Sequence, residues 1–303
     1  MNYQYNIQHA IMLKTQSDTM LKKLLLFTSL FYVSHATDWV EGLNNTSTTF
    51  NHYTRITDDP VNGLILDHLG IDAMIAAWGF KNWHWGKEGF HFRTEDWFEQ
   101  DSNTGGSDKT GHFYMTYLLS RVLSSRMESR GWELQKATLA GSLSAMLAMT
   151  VLEVGDGTSA YGFSKEDLLA DGLGALSAYL IRSNPKVDEF LDIRLEYLPS
   201  SGYLENTDTA TDYSGMKHLI AFKLSGFEEI KSTPLRYVEF QVGYYARGYR
   251  SYDKGIAKSQ QVYVGIGINL SQLANESGIN VLKNLFEFYQ PGGTYVEGKL
   301  WER

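Results

Sequence analysis

The hydrophobic period of this chain changes at Pro185, and that change limits what it can fold into. Before Pro185 apolar residues recur at helical spacing. After it they alternate with polar ones. Side chains return to the same face every 3.6 residues on a helix and every two on a strand, so neither pattern can serve as the other. The chain therefore reads as α+β: a helical bundle of about four helices, then an antiparallel β-sheet of about four strands and a C-terminal helix.

In the first part Leu66, Leu69, Ile71, Met74, Ile75 and Trp78 mark a helix over residues 66–79, stopped by Gly79. Residues 37–65 are polar and read as a loop-rich leader. Residues 80–107 hold Trp83, His84, Trp85, Phe90, His91, Phe92, Trp97 and Phe98 among charges, as an aromatic lid over the bundle would. Helices are expected at about 108–128, 133–154 and 165–183. Asp108 opens the first. Ala137, Gly141, Ala145 and Ala148 make the second a helix of small residues. Ser164-Lys165-Glu166-Asp167 is a variant capping box before the third. Beyond Pro185, alternation predicts strands around 191–197, 216–224, 238–244 and 262–270, and a helix at 278–289. Residues 295–301 read as a short strand. The sheet's apolar face is expected to be covered by protein, beside lipid at most.

Residues 21–36 look like an address. Lys22 and Lys23 precede an apolar run of about ten residues and then Ser34-His35-Ala36, the layout of a secretory signal with a small-x-small cleavage site. The run is shorter than the roughly 20 residues a membrane span needs. Residues 1–19 do not resemble such a signal, which makes Met20 a candidate start. The organisation is thus an extension and signal over 1–36, a helical domain over 37–185 and a β domain over 186–303. Composition agrees with export: none of the 303 residues is cysteine, which excludes disulfides, thiolate metal sites and a thiol nucleophile. The net charge of −8 argues against nucleic acid as a partner. The expected location is the periplasm or the outer membrane, with envelope lipid as a candidate partner.

Polar residues on the helices form the candidate site. Asp108 and His112 are four apart and share a face, with Lys109 adjacent. Glu153 and Asp156 close the second helix. Asp167 and Asp171 share a face of the third. Carboxylates with one imidazole suit a divalent cation such as Mg²⁺, Mn²⁺ or Zn²⁺. Alternatively His112 does acid–base work, oriented by Asp108, with Lys109 meeting a phosphate and Glu153 and Asp167 holding metal or activating water. Each residue also has an ordinary role. Asp108 and Asp167 stabilise helix starts, and His112 fits a buried hydrogen bond to Asp108. Two other groups stand out. Tyr237, Tyr244, Tyr245, Tyr249 and Tyr263 with Arg247 and Arg250 suit a membrane interface or an ordinary sheet edge. Trp83, Trp85 and Trp97 would suit a sugar.

The run Asp108-Lys109-x-x-His112, Glu153, Gly162-Phe163-Ser164-x-x-Asp167-Leu168 and Gly172-x-Gly174-Ala175 resembles the YfiM-like family of predicted periplasmic lipoproteins. VanZ-like membrane proteins are more distantly similar. Asp212-Tyr213, the Tyr244–Tyr249 run and the Val264–Ser271 run look like the β extension of longer family members. Asp171 stands where the family pattern has Asn, and no cysteine follows the signal, so the lipid anchor is not carried over. The resemblance implies an exported envelope protein and supplies positions without a reaction. A hydrolase acting on a lipid or cell-wall phosphate is the alternative.

Overall fold

The computed structural model describes residues 59–203 and 208–303. The signal, the cleavage position and the leader up to residue 58 lie outside the described residues.

Helix α1 spans Pro60–Asn82. Asp59 caps it, accepting hydrogen bonds from the Val61 and Asn62 amides at 3.0 and 2.9 Å, and Pro60 occupies the first turn. Residues 60–65, expected as loop, are therefore helical: Asp-Pro here is a start signal. The chain then runs through β1 (Phe92–Arg93), α2 (Ser107–Ser129), α3 (Leu134–Asp156), β2 (Phe163–Ser164) and α4 (Lys165–Arg182). Helix α2 packs on α3 and α4, and α1 lies on α3.

Glycine allows the close packing. A Cβ on Gly141 would stand 2.6 Å from the Ser124 amide nitrogen, and one on Gly174 only 2.2 Å from the Phe113 carbonyl oxygen. The seam is lined by small hydroxyls. Ser120 and Ser124 donate to the carbonyls one turn back at 2.7 and 2.6 Å, which satisfies them inside the bundle.

After α5 (Pro185–Phe190) come β3 (Leu191–Tyr197), β4 (Met216–Lys223), α6 (Glu228–Lys231), β5 (Val238–Arg247), β6 (Ser259–Ile268), α7 (Leu270–Glu276), α8 (Asn280–Phe286) and β7 (Tyr295–Glu302). The strands form one antiparallel meander in the order β3-β4-β5-β6-β7. The fold is α+β as read, with five strands where four were expected. The segment read as a short strand is a full edge strand, the helix expected at 278–289 is α8, and α7 before it was not expected.

The expectation that protein covers the sheet's apolar face holds for part of it. Ile193 on β3 packs against Tyr114, Tyr117, Ala178 and Ile181, and His218 on β4 and Tyr244 on β5 meet Thr110, Gly105 and Phe98. Farther along, Phe240 and Val242 on β5, Val264, Ile266 and Ile268 on β6 and Val296 on β7 are exposed. The opposite face is polar and buried. Arg194, 1% exposed, bonds Asp192 at 2.6 Å and Glu239 at 2.8 Å, beside buried Gln241 and Tyr263. Lys223 meets Asp192 at 2.6 Å. The helices also turn large aliphatic residues outward, around a core of Ile71, Leu123, Ala145, Ala148, Met149 and Leu152. Leu139, Leu143, Leu147, Val151 and Val154 of α3 are exposed, as are Leu169, Leu173, Leu176 and Leu180 of α4 and Val61, Ile65 and Leu69 of α1. Asp67 of α1 is buried, held by Arg126 and Arg130 at 2.7 Å each. The Tyr/Arg band also turns largely inward. Tyr263 stacks on Tyr295 with ring centres 5.8 Å apart, Tyr249 is buried, and Arg247 donates to the Met216 carbonyl at 3.0 Å.

Candidate functional site

Three helix ends meet at one end of the bundle. The first turns of α2 supply Asp108, Lys109 and His112. The last turn of α3 supplies Glu153 and Asp156, and the first turns of α4 supply Asp167 and Asp171. All seven residues read from the sequence gather here. Helical spacing made this legible, since each i, i+4 pair projects from one face.

Lys109 is 2% exposed, and its ammonium lies 2.6 Å from Asp167 Oδ1 and 2.9 Å from Asp108 Oδ2, with Glu95 as a third carboxylate. The imidazole of His112 sits between two walls. Nδ1 is 3.2 Å from Asp171 Oδ1. Nε2 is 3.7 Å from Glu153 Oε1 and 3.9 Å from Asp167 Oδ1. Asp171 is fully buried and also accepts from the Thr116 hydroxyl at 2.7 Å. Glu153 Oε2 accepts from the Ser164 amide at 2.9 Å. Ser164 caps α4 by accepting from the Asp167 amide at 3.1 Å, the half of the capping box that is realised.

Two expected roles change. Asp108 does not orient His112: its oxygens take Lys109 and the Tyr213 hydroxyl, and Asp171 is the group on Nδ1. Lys109 does not reach outward for a phosphate. It is enclosed by three carboxylates, and leaving them would strand buried charge. Asp156 belongs to the lid, where it accepts from Trp85 Nε1 at 2.6 Å.

Burial and charge shape the protonation states. Burial pushes Glu153 up to about 9, against the pull of His112. Burial raises Asp156 to about 7, and burial with the charge of Asp108 raises Asp167 to about 7. Burial alone would lower Lys109, but Asp108, Asp167 and Glu95 outweigh it and raise it. His112 is likewise raised well above its usual value, because Asp171 and Asp167 outweigh burial. Burial would raise Asp108, but Lys109, His112 and the Tyr213 hydroxyl hold it below the usual carboxylate range. At neutral pH Glu153 is therefore protonated, and Asp156 and Asp167 are each shared between their two forms, so the centre gives up part of the negative charge its carboxylates could carry.

The aromatic lid is real. Trp85 is 6% exposed and lies on Gly79 and Gly155, where a Cβ would meet its ring at 2.4 and 2.3 Å. It offers no face to a sugar. Trp83 is half-buried and donates to Asp208 at 2.9 Å. Trp97 is also half-buried, and His84 is exposed. His91 Nδ1 lies 3.1 Å from the Gly89 carbonyl oxygen. Neither histidine contacts the centre.

Sequence reasoning missed Glu95, Thr116, Ser164 and Tyr213 as members of the site. Glu95 lies in a loop and Tyr213 in a short 3-10 turn before β4, where no periodicity marks an inward side chain.

Residues 94–183 match a family described as predicted periplasmic lipoprotein (DUF2279). No curated protein and no solved structure matches the chain. The matched stretch holds Glu95, Asp108, Lys109, His112, Glu153, Asp156, Asp167 and Asp171, and leaves out α1 and the sheet. Its description speaks of the periplasm and of no reaction, consistent with an exported protein.

Proposed function

We propose that this is an exported envelope protein of YfiM-like type that seats its apolar outer face in the acyl region of a membrane leaflet, that of the outer membrane. The observation that carries the reading is the outward apolar surface: leucine, isoleucine and valine face out from bundle and sheet alike, over an apolar bundle core and a polar, charged layer beneath the sheet. Contiguous exposed apolar surface of this kind marks a lipid or protein interface. Two details favour lipid. Helices α1 and α3, 23 residues each, are long and apolar enough to match the ~30 Å hydrocarbon core, and the outward stripe of α3 runs about 22 Å along it from Leu139 to Val154. At the lid end, exposed Phe80, Phe90 and Phe92 stand with exposed Lys81, Lys87, Arg93 and Lys165, the aromatic and cationic pairing that suits an anionic headgroup layer.

Flotation with phosphatidylethanolamine–phosphatidylglycerol vesicles tests this. The purified protein should rise with the vesicles. Leu143→Asp combined with Leu147→Asp should weaken binding by at least about 100-fold, since each buried leucine contributes about 1.5–3 kcal/mol. A wild-type protein that stays monodisperse in detergent-free buffer and ignores vesicles would overturn the reading. So would an oligomer that buries the α3 stripe.

A further inference from the structure

Across the gap between His112 and Glu153, two potential ligand atoms face each other inside the centre without bonding. Glu153 is 1% exposed, yet its Oε1 has no hydrogen-bond partner. It points at His112 Nε2 from 3.7 Å, too far for a hydrogen bond. Asp167 Oδ1, which the Lys109 ammonium approaches to 2.6 Å, lies 3.9 Å from the same nitrogen. Two donors at ~2.1 Å from one tetrahedral ion stand about 3.4 Å apart. His112 Nε2 and Glu153 Oε1 stand within about 0.3 Å of that spacing, and Asp167 Oδ1 lies about 0.5 Å beyond it from the same nitrogen.

The surroundings are also those of a metal ligand set. His112 Nδ1 faces the buried carboxylate of Asp171 at 3.2 Å, and Thr116 donates to that carboxylate at 2.7 Å. A carboxylate on the far nitrogen fixes the tautomer and turns Nε2 into the metal-facing atom. Lys109 neutralises Asp108 and Glu95 and shares Asp167 Oδ1, whose second lone pair remains for an ion.

We propose that His112 Nε2, Glu153 Oε1 and Asp167 Oδ1 bind one divalent cation of borderline softness, Zn²⁺ or Mn²⁺, with a further coordination position left open. Asp171 is a positioning residue that holds the imidazole. Asp108, Lys109 and Asp156 are not ligands. An imidazole in the set disfavours Ca²⁺ and Mg²⁺, which take oxygen. This reading does not depend on lipid seating.

The experiment uses the full chain, stripped with a chelator and titrated with Zn²⁺, Mn²⁺, Mg²⁺ and Co²⁺. The readouts are bound metal per chain and the visible spectrum of the Co²⁺ form. One Zn²⁺ or Mn²⁺ per chain is expected, with little Mg²⁺. Glu153→Gln keeps the shape and an acceptor for the Ser164 amide, and should weaken binding at least 100-fold. Asp171→Asn should weaken it 10–100-fold and alter the Co²⁺ spectrum. The exposed Glu133→Gln should change neither. Circular dichroism confirms that each variant is folded. Should His112→Gln not fold, the isosteric Glu153→Gln and Asp171→Asn decide. No stoichiometric binding would overturn the proposal. So would binding that is the same in the wild type, Glu153→Gln and Asp171→Asn, the mark of an adventitious ion only.

Discussion

His218 shows how one side chain can set a pH limit. It lies on β4, buried against α2, with Nδ1 2.9 Å from the Thr110 hydroxyl and its ring 5.9 Å from that of Tyr114. Burial pushes its pKa down to about 3. An unfolded histidine titrates near 6.5. Its contribution is therefore fully present above about pH 6.5 and is lost as pH falls toward 3, at about 1.4 kcal/mol per unit. Thermal stability of the wild type should fall steeply from pH 6.5 down to 4. His218→Gln, which keeps a partner for Thr110, should flatten that fall, and an unchanged acid limb would contradict the account. The sequence did not single out His218, because alternation places it among apolar neighbours and says nothing of a helix crossing above it. It did reveal His112, Glu153, Asp167 and Asp171, since a charged residue breaking a helical stripe of small residues is conspicuous. The roles were less legible: which carboxylate meets which nitrogen depends on the rotation of three helices about their axes.

Two glycines on α4 make a matched test of how tightly the helices meet. Gly174 abuts the Phe113 carbonyl, and a Cβ there would stand 2.2 Å from the oxygen. At Gly172 nothing but the Met146 methyl lies near, at 4.0 Å. Gly174→Ala should destabilise by about 1–3 kcal/mol, because backbone cannot yield as a side chain can. Gly172→Ala should stabilise by roughly 0.5–1 kcal/mol through helix propensity. Chemical denaturation of the pair reads the difference, and equal effects would mean that the α2–α4 contact is loose. The sequence fixes neither contact, although it locates both helices within two residues. Periodicity and caps are local, whereas closeness is a property of two helices at once. The same limit explains β7. A register shift in its pairing with Val262 and Tyr263, and glycine at position 298, weaken its alternation, and only pairing with β6 makes it a full strand.

For the whole molecule, alternation and helical stripes establish that each element has two faces. They do not say which face meets protein, since an inverted arrangement has the same period. That ambiguity is why a covered apolar sheet face was expected and a partly exposed one found. The buried side should be the sensitive one. Glu239→Leu removes one of the two carboxylates that hold Arg194, which is 1% exposed and keeps Asp192, and leaves buried donors of Arg194 and Gln241 short of an acceptor, which should cost about 1–3 kcal/mol. Phe240→Ser, on the opposite face, should cost under about 1 kcal/mol in detergent-free buffer. Denaturation midpoints decide, and the reverse ranking would mean that the sheet is packed the ordinary way. An outward apolar surface also governs how copies of the chain treat one another. In water its leucines are bare, and copies that meet will stick together. Such self-association should grow with concentration in detergent-free buffer and fall when detergent or vesicles cover the leucines.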